Sequence, residues 1–141
     1  MDDELAPLLA EHGLNAHEEA IRVLVRPCVQ IHCHREQASG LSSTHSRFGG
    51  LPHLPTGFQW PEGMSGPMVL IAQIWLSDAD AHDATGLLPS SGILYFWYDV
   101  AWQPWGFDPD DRPGFRVDFV PDEGQALELR SFPGASTRPR R

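Results

Sequence analysis

The chain has 141 residues, a length that suits one domain with its own hydrophobic core. Asp and Glu outnumber Lys and Arg by 19 to 10, which gives a formal charge of -9, and no stretch has the basic clustering that phosphate-backbone contacts require, so we expect no nucleic-acid partner. The acidic N-terminus and the absence of an apolar run of about 20 residues argue against a signal peptide and a membrane span, so we expect a cytoplasmic protein.

Two helices are predicted at the N-terminus. The first spans residues 3–11, with Asp3 as its candidate N-cap and three leucines at helical spacing. The second begins at Asn15, whose side chain is the candidate cap, and Pro27 ends it. Its predicted buried stripe consists of Ala20, Ile21, Leu24 and Val25.

A half-buried strand is predicted from Cys28 to His34, because apolar and polar residues alternate there. Cys28 and Cys33 are the only cysteines in the chain. Their odd separation along a strand would place the two thiols on opposite faces, so we expect both to be reduced.

Three further strands form the predicted sheet. Met68–Leu76 is almost continuously apolar, Ile93–Tyr98 is apolar on both faces, which indicates a central position, and Phe115–Val120 alternates. Helices that do not alternate regularly with strands indicate an α+β fold, in which two N-terminal helices pack on a mostly antiparallel β-sheet with long Gly/Pro-rich and Trp-rich loops. We assign residues 1–130 to a single domain and residues 131–141 to a disordered tail.

Residues 46–61, SRFGGLPHLPTGFQWP, have the composition of a shaped loop. Gly49 and Gly50 permit positive φ and close backbone approach, and Arg47 beside Phe48 could hold a carboxylate or phosphate against exposed N–H groups. The segment lacks the Lys-Ser/Thr pair and the helix start of a phosphate loop. A turn that packs its own apolar side chains accounts for the same residues, and we favour that structural interpretation.

Gln73 is the one polar side chain of an otherwise apolar strand. A buried amide needs hydrogen-bond partners for its donors and its acceptor. The amide either contacts a ligand or ties its strand to backbone groups of the Gly49–Gly50 loop, and the second role is the more frequent one.

A Zn²⁺ site would have to combine histidines with a cysteine. On the predicted strand Cys28, His32 and His34 share a face, but residues two apart rise about 6.6 Å, so Cys28 and His32 lie about 13 Å apart, too far to share an ion. The ligand set would need completion by His45, His53 or His82. Neither a paired zinc-ligand motif nor a helical HExxH pattern is present, and we predict no metal and no cofactor.

Trp102 and Trp105 belong to a long acidic and aromatic loop over residues 102–114. The rings either anchor a partner protein or fold back over the sheet, and the composition leaves both interpretations open. Asp108 and its acidic neighbours lack the Gly and Glu that complete a calcium loop, so we interpret them as a solvated turn.

Three blocks in one order carry a resemblance to a known family: RFGGLP from Arg47 with Trp60-Pro61, then Gln73, then GILYFWYD from Gly92 to Asp99. They resemble the YwqG-like family of bacterial proteins, domain of unknown function 1963. The resemblance implies one α+β domain with no established activity, and it carries over no catalytic residue. Family members are generally longer, so it also implies that this chain matches their N-terminal half. Phe115–Val120 or another strand would then be an open edge, and we expect a homodimer or low stability.

We therefore expect a non-catalytic cytoplasmic protein-binding module that engages another protein through the Gly/Pro loop and the Trp-rich loop. Its acidity suits a basic partner, such as a toxin that it would neutralise. The alternative is a small-molecule- or metal-binding enzyme whose pocket lies near the Arg47 loop and Gln73, with His45 or His53 titrating near neutral pH. The binding residues of these two hypotheses are Arg47, Phe48, Gly49, Gly50, Gln73, Trp102 and Trp105.

Overall fold

The computed structural model describes residues 4–35, 42–80, 83 and 86–134. Contacts divide the chain into two compact units, residues 1–30 and residues 31–141. The first unit contains helices and the second contains every described strand, so the fold class is α+β, as the sequence predicts. In the described part of the chain, no helix is long and apolar enough to cross a membrane.

The helices of the first unit are shorter than the sequence predicts. It contains α1 (Leu5–Glu11), a 3-10 turn (Asn15–His17) and α2 (Glu18–Arg22). The predicted cap Asp3 lies outside the described residues. The predicted cap at Asn15 is wrong, because Asn15 lies inside the 3-10 turn and the turn has no side-chain capping bond.

The predicted extension of the second helix to Pro27 and its buried stripe are also wrong. Leu24 and Val25 are 74% and 54% exposed, Ala20 is exposed and Ile21 is half-buried. The β-branched residues that follow α2 disfavour helix, and Pro27 disfavours helical backbone geometry at the residue before it. The helix therefore ends at Arg22, before the apolar residues that would complete its stripe.

The predicted strand from Cys28 to His34 does not form. These residues are irregular, Ile31 is 53% exposed, and both cysteines are exposed. An alternating pattern gives a strand only where a neighbouring strand supplies backbone partners. Among the described residues, no strand pairs with this segment.

The second unit is built on antiparallel strands. The described strands are β1 (Arg47–Phe48), β2 (His53–Pro55), β3 (Glu62–Gly63), β4 (Gly66–Pro67), β5 (Val69–Trp75), β6 (Ile93–Tyr98), β7 (Phe115–Val120) and β8 (Leu127–Leu129). Four of them form a sheet in the order β1-β5-β6-β7, while β2 pairs with β8 and β3 with β4. The prediction of a central Ile93–Tyr98 strand is confirmed, and β7 is an edge of the sheet.

The core lies on one face of the four-stranded sheet. Ile93, Tyr95 and Trp97 alternate along β6 and are buried, and they pack with Leu54 and Met68. Aromatic rings from the loop after β2 extend the cluster: the centroids of Phe58 and Trp60 lie 6.3 and 5.3 Å from that of Trp97. A period-2 strand with large rings on its inward side therefore organises the packing around it.

Candidate functional site

The strand register places three polar side chains in one row. Arg47 of β1 lies directly opposite Gln73 of β5, and Gln73 lies opposite Tyr95 of β6. Directly opposed residues of antiparallel strands project from the same face of the sheet. The row therefore lies on the core face, beside the buried cluster.

Gln73 is fully buried and acts as the hub of this row. Its Oε1 accepts from Nη2 of Arg47 at 3.2 Å and from the backbone N–H of His53 at 3.0 Å. Its Nε2 donates to the carbonyls of Ser43 and His45 at 3.1 and 3.4 Å. All four hydrogen-bonding positions of the amide are thus occupied within the chain, so this side chain holds the loops in place and has no group left for a ligand.

Arg47 contributes a positive charge that no carboxylate of the described residues neutralises. Its Nη2 donates to Gln73, to Nδ1 of His53 at 2.9 Å and to the carbonyl of Leu51. Nη1 is enclosed and has no hydrogen-bond partner among the residues that the structure describes. Burial lowers the pKa of the guanidinium, which nevertheless stays charged at any ordinary pH. In the described part of the chain no carboxylate pairs with it.

Two imidazoles near Arg47, those of His53 and His45, each accept a hydrogen bond at Nδ1, which leaves Nε2 as the donor of the neutral ring. A guanidinium can only donate, so Nδ1 of His53 accepts and the proton of the neutral ring lies on Nε2. Burial, followed by the nearby charge of Arg47, lowers the pKa of His53 and favours this neutral form. The Nδ1 of His45 accepts a hydrogen bond as well, from the backbone N–H of Ser42 at 3.1 Å.

Two further side chains support the site without being singled out by the sequence pattern. The hydroxyl of Tyr95 donates to the carbonyl of His53 at 2.6 Å, and burial raises the pKa of Tyr95, so the hydroxyl keeps its proton. Ser46 Oγ accepts from the backbone N–H of Trp75 at 2.8 Å and donates to Asp78. The available signal for Tyr95 is its position in a strand that is apolar on both faces, where a buried hydroxyl needs an acceptor.

Arg47, His53, His45 and Ser46 border a cavity of about 580 Å³, which we call the Arg47 cavity. Gly49 and Gly50 form part of its wall with φ of 68° and 74°, a backbone conformation that favours glycine. Phe48 and Leu51 supply apolar wall. Of the residues that the structure describes, the polar and titratable side chains at its wall are Arg47, His32, Cys33, His34, His45, Ser46 and His53, with no Asp or Glu among them.

The histidines do not form a metal centre in the described residues, where no three or more His, Cys, Asp or Glu side chains are arranged to hold an ion. Cys28 does not border the Arg47 cavity. His82 lies outside the described residues. The cavity therefore brings together four of the histidines considered from the sequence, beside one arginine.

Trp102 and Trp105 lie away from the Arg47 cavity, in a segment that we call the aromatic loop (residues 102–107). Trp102 is 37% exposed, whereas Trp105 and Phe107 are 96% and 97% exposed. The hydroxyl of Tyr98 donates to the carbonyl of Pro104 at 2.7 Å, which ties the loop to the end of β6. Trp105 and Phe107 are thus turned to solvent and Trp102 is less exposed, while the role of these rings as anchors of a partner protein stays a prediction.

Acidic side chains order both ends of the aromatic loop. Asp99 is buried and accepts from the N–H groups of Trp102, Ser65 and Ala101, and these bonds lower its pKa, that to Trp102 most strongly. At the other end, Asp108 and Asp111 form a capping box on the 3-10 turn Pro109–Gly114. Hydrogen bonds therefore fix the backbone on both sides of the two exposed rings, Trp105 and Phe107.

Residues 46–138, about two thirds of the chain, match the model of a family described as Domain of unknown function (DUF1963). The chain belongs to this family. The resemblance to that domain of unknown function is thereby confirmed, and the match includes the Gly/Pro loop, Gln73 and the aromatic loop but not His32 or His34. No match to a curated protein was found. Membership in DUF1963 assigns no activity, so function has to be argued from the site.

Proposed function

We propose that this DUF1963 chain is a binding protein whose Arg47 cavity takes a small molecule carrying a carboxylate or a phosphate. The observation that carries the proposal is the partly enclosed guanidinium of Arg47, which has only neutral hydrogen-bond partners among the described residues. A charge removed from water is costly unless it is paired. A bound anion supplies the missing counter-charge.

The wall of the cavity has the opposite charge character to the chain as a whole. The protein carries 19 acidic residues and a formal charge of -9, yet among the described residues one arginine and four histidines border the cavity without an acidic residue. His45 and His53 add Nε2–H donors, because the Nδ1 of each already accepts a hydrogen bond. A guanidinium flanked by N–H donors favours an oxyanion over a neutral polar molecule.

The size and the apolar part of the wall favour an organic anion over a bare inorganic one. A volume of about 580 Å³ lies within the range of roughly 300–1,000 Å³ that small-molecule sites occupy. Phe48, Leu51 and Leu129 contribute apolar wall beside the charged group. The ligand class is therefore a small carboxylate or phosphate ester with an apolar body.

Calorimetric titration with benzoate and its neutral isostere benzamide tests this proposal. We expect saturable binding of benzoate and none of benzamide, because only benzoate supplies a counter-charge. Arg47→Gln should weaken benzoate binding about tenfold or more, the worth of one charge-assisted hydrogen bond. Arg112→Gln, which removes an exposed arginine of the 3-10 turn, is the matched control and should bind as the parent chain does.

Arg47 also holds loops in place, so the folded state of each variant must be measured alongside binding. Arg47→Lys keeps the charge and should retain most of the benzoate affinity even where it loses loop contacts. Equal binding of benzoate and benzamide would contradict the proposal. So would full benzoate affinity in a folded Arg47→Gln variant.

A second candidate function is the binding of another protein through the aromatic loop. Trp105 and Phe107 are almost wholly exposed, and large rings held on an ordered base are typical anchors of protein interfaces. Asp108 and Asp110 follow directly, so the loop suits a partner surface that is apolar and basic.

Quantitative co-purification from cell extract tests this second candidate. A protein recovered with the parent chain should be lost with the double variant Trp105→Ala/Phe107→Ala. It should be retained with Met64→Ala, which removes a 69% exposed apolar side chain elsewhere. Recovery that is the same for all three baits would contradict a role of the aromatic loop.

A further inference from the structure

The outer edge of β7 is open in the described part of the chain. The sheet order ends at β7, which has six residues, whereas β1 at the opposite edge has two. Proline and lysine are common protections of an edge strand, and Phe115–Val120 contains neither. Its outward backbone N–H and C=O groups can therefore pair with another strand.

One side of β7 also carries exposed apolar side chains. Phe115, Val117 and Phe119 are 43%, 54% and 45% exposed. They lie opposite Tyr98, Phe96 and Leu94 of β6, so they continue the sheet face that is turned away from the core. An edge strand with an exposed apolar side offers backbone bonds and apolar burial to the same partner.

We infer that β7 pairs antiparallel with β7 of a second copy of this chain, across a two-fold axis at Val117. The two four-stranded sheets then form one continuous sheet. The Arg47 cavity lies beside β1, at the opposite edge of each sheet from this pairing. The inferred dimer therefore does not depend on the proposed ligand.

The alternation of backbone groups limits the registers that this pairing can take. Outward-facing backbone groups recur at every second residue, so antiparallel β7 strands match odd positions with odd and even with even. With the axis at Val117, each Arg116 lies opposite Asp118 of the second copy, and each Phe115 lies opposite Phe119. An axis at Arg116 would instead oppose two arginines, and an axis at Asp118 would oppose two aspartates. Of these three registers, only the one centred on Val117 pairs opposite charges within β7.

The charges of β7 fit this partner without leaving the single copy unbalanced. Within one copy Arg116 and Asp118 form an ion pair at 2.6 Å, so the edge carries no net charge. Both guanidinium bonds go to Oδ1 of Asp118, whereas Oδ2 is enclosed and has no hydrogen-bond partner in the described part of the chain. The Arg116 side chain is 54% exposed and uses two of its five N–H donors in this pair, so the guanidinium retains donors for Asp118 of the second copy.

Cysteine cross-linking tests the register directly. In a background in which the exposed Cys28 and Cys33 are replaced by serine, Val117→Cys should form an intermolecular disulfide under mild oxidation. Residues on the two-fold axis have Cα atoms about 4.5–5.5 Å apart, which suits that bond. Arg116→Cys is the control for register, because its copies meet only when the axis lies at residue 116. Cross-linking of Arg116→Cys as efficient as that of Val117→Cys would overturn the register.

Charge exchange provides a second measurement, read as the dimer dissociation constant in sedimentation equilibrium. Arg116→Asp and Asp118→Arg should each weaken the dimer about tenfold or more, because each places like charges opposite one another twice. The double exchange Arg116→Asp/Asp118→Arg should restore the dimer. Urea unfolding of each variant monitors the fold. A parent chain that stays monomeric at every concentration, or a folded double exchange that stays as weak as the singles, would overturn the proposal.

Discussion

Replacing Gln73 by leucine should destabilise the second unit strongly, because it removes the hub of the polar row at the Arg47 cavity. Three of its four hydrogen bonds are 3.2 Å or shorter, and each such buried bond contributes about 1 kcal/mol net. The expected loss is about 3 kcal/mol in the free energy of unfolding. For a chain of 141 residues this corresponds to a melting temperature lower by about 10 °C.

Urea unfolding followed by tryptophan fluorescence is a suitable assay, because Trp97 is buried in the core. Gln59→Leu is the matched control, since that amide is exposed and makes one bond, at 3.2 Å, to the carbonyl of Gly57. It should change the free energy of unfolding by less than about 0.5 kcal/mol. A Gln73→Leu variant that loses less than about 1 kcal/mol would refute the hub role.

Three further predictions concern stability. The folded state lowers the pKa of His53 from its ordinary 6.5, so just below that pH the unfolded chain binds more protons than the folded chain, and the free energy of unfolding should fall as the pH drops below 6.5. His53→Asn should reduce this pH dependence in urea titrations at several pH values, and an unchanged dependence would contradict the assignment. Gly92→Ala should lower the free energy of unfolding by about 2 kcal/mol more than Gly57→Ala does, as measured in melting experiments. Both glycines have positive φ, but only at Gly92 would an added Cβ meet heavy atoms, at 2.5 and 2.8 Å. Equal losses for the two variants would contradict this reasoning. Asp108→Ala should lower the free energy of unfolding by about 1 kcal/mol because it removes the capping box, whereas Asp110→Ala should change it little. Equal urea midpoints for the two variants would contradict the role of the cap.

The strands of the main sheet could be predicted because their pattern and their environment agree. Ile93–Tyr98 is apolar on both sides, and the structure places it between two other strands. The segment from Cys28 to His34 has an equally clear alternation but no strand neighbour in the described residues, and it is irregular. A local pattern of apolar and polar residues indicates which structure a segment can form, whereas strand pairing depends on whether the rest of the chain supplies a neighbouring strand.

The candidate site was only partly accessible from sequence for the same reason. The glycines beside Arg47 and the lone amide of Gln73 mark a shaped loop and a buried polar group. That the two side chains meet depends on the register of β1 against β5, which no local pattern specifies. The absence of a carboxylate beside Arg47 in the described residues is likewise a property of the assembled site.

The most direct test of anion binding in the Arg47 cavity is the pKa of His53, measured by NMR titration of its imidazole with and without benzoate. A negative charge in the cavity favours the imidazolium, so benzoate should raise the pKa of His53 in the parent chain. Benzamide should leave it unchanged, and in a folded Arg47→Gln variant the same rise should need a benzoate concentration about tenfold higher or more. A pKa of His53 in the parent chain that does not move at saturating benzoate would contradict the account.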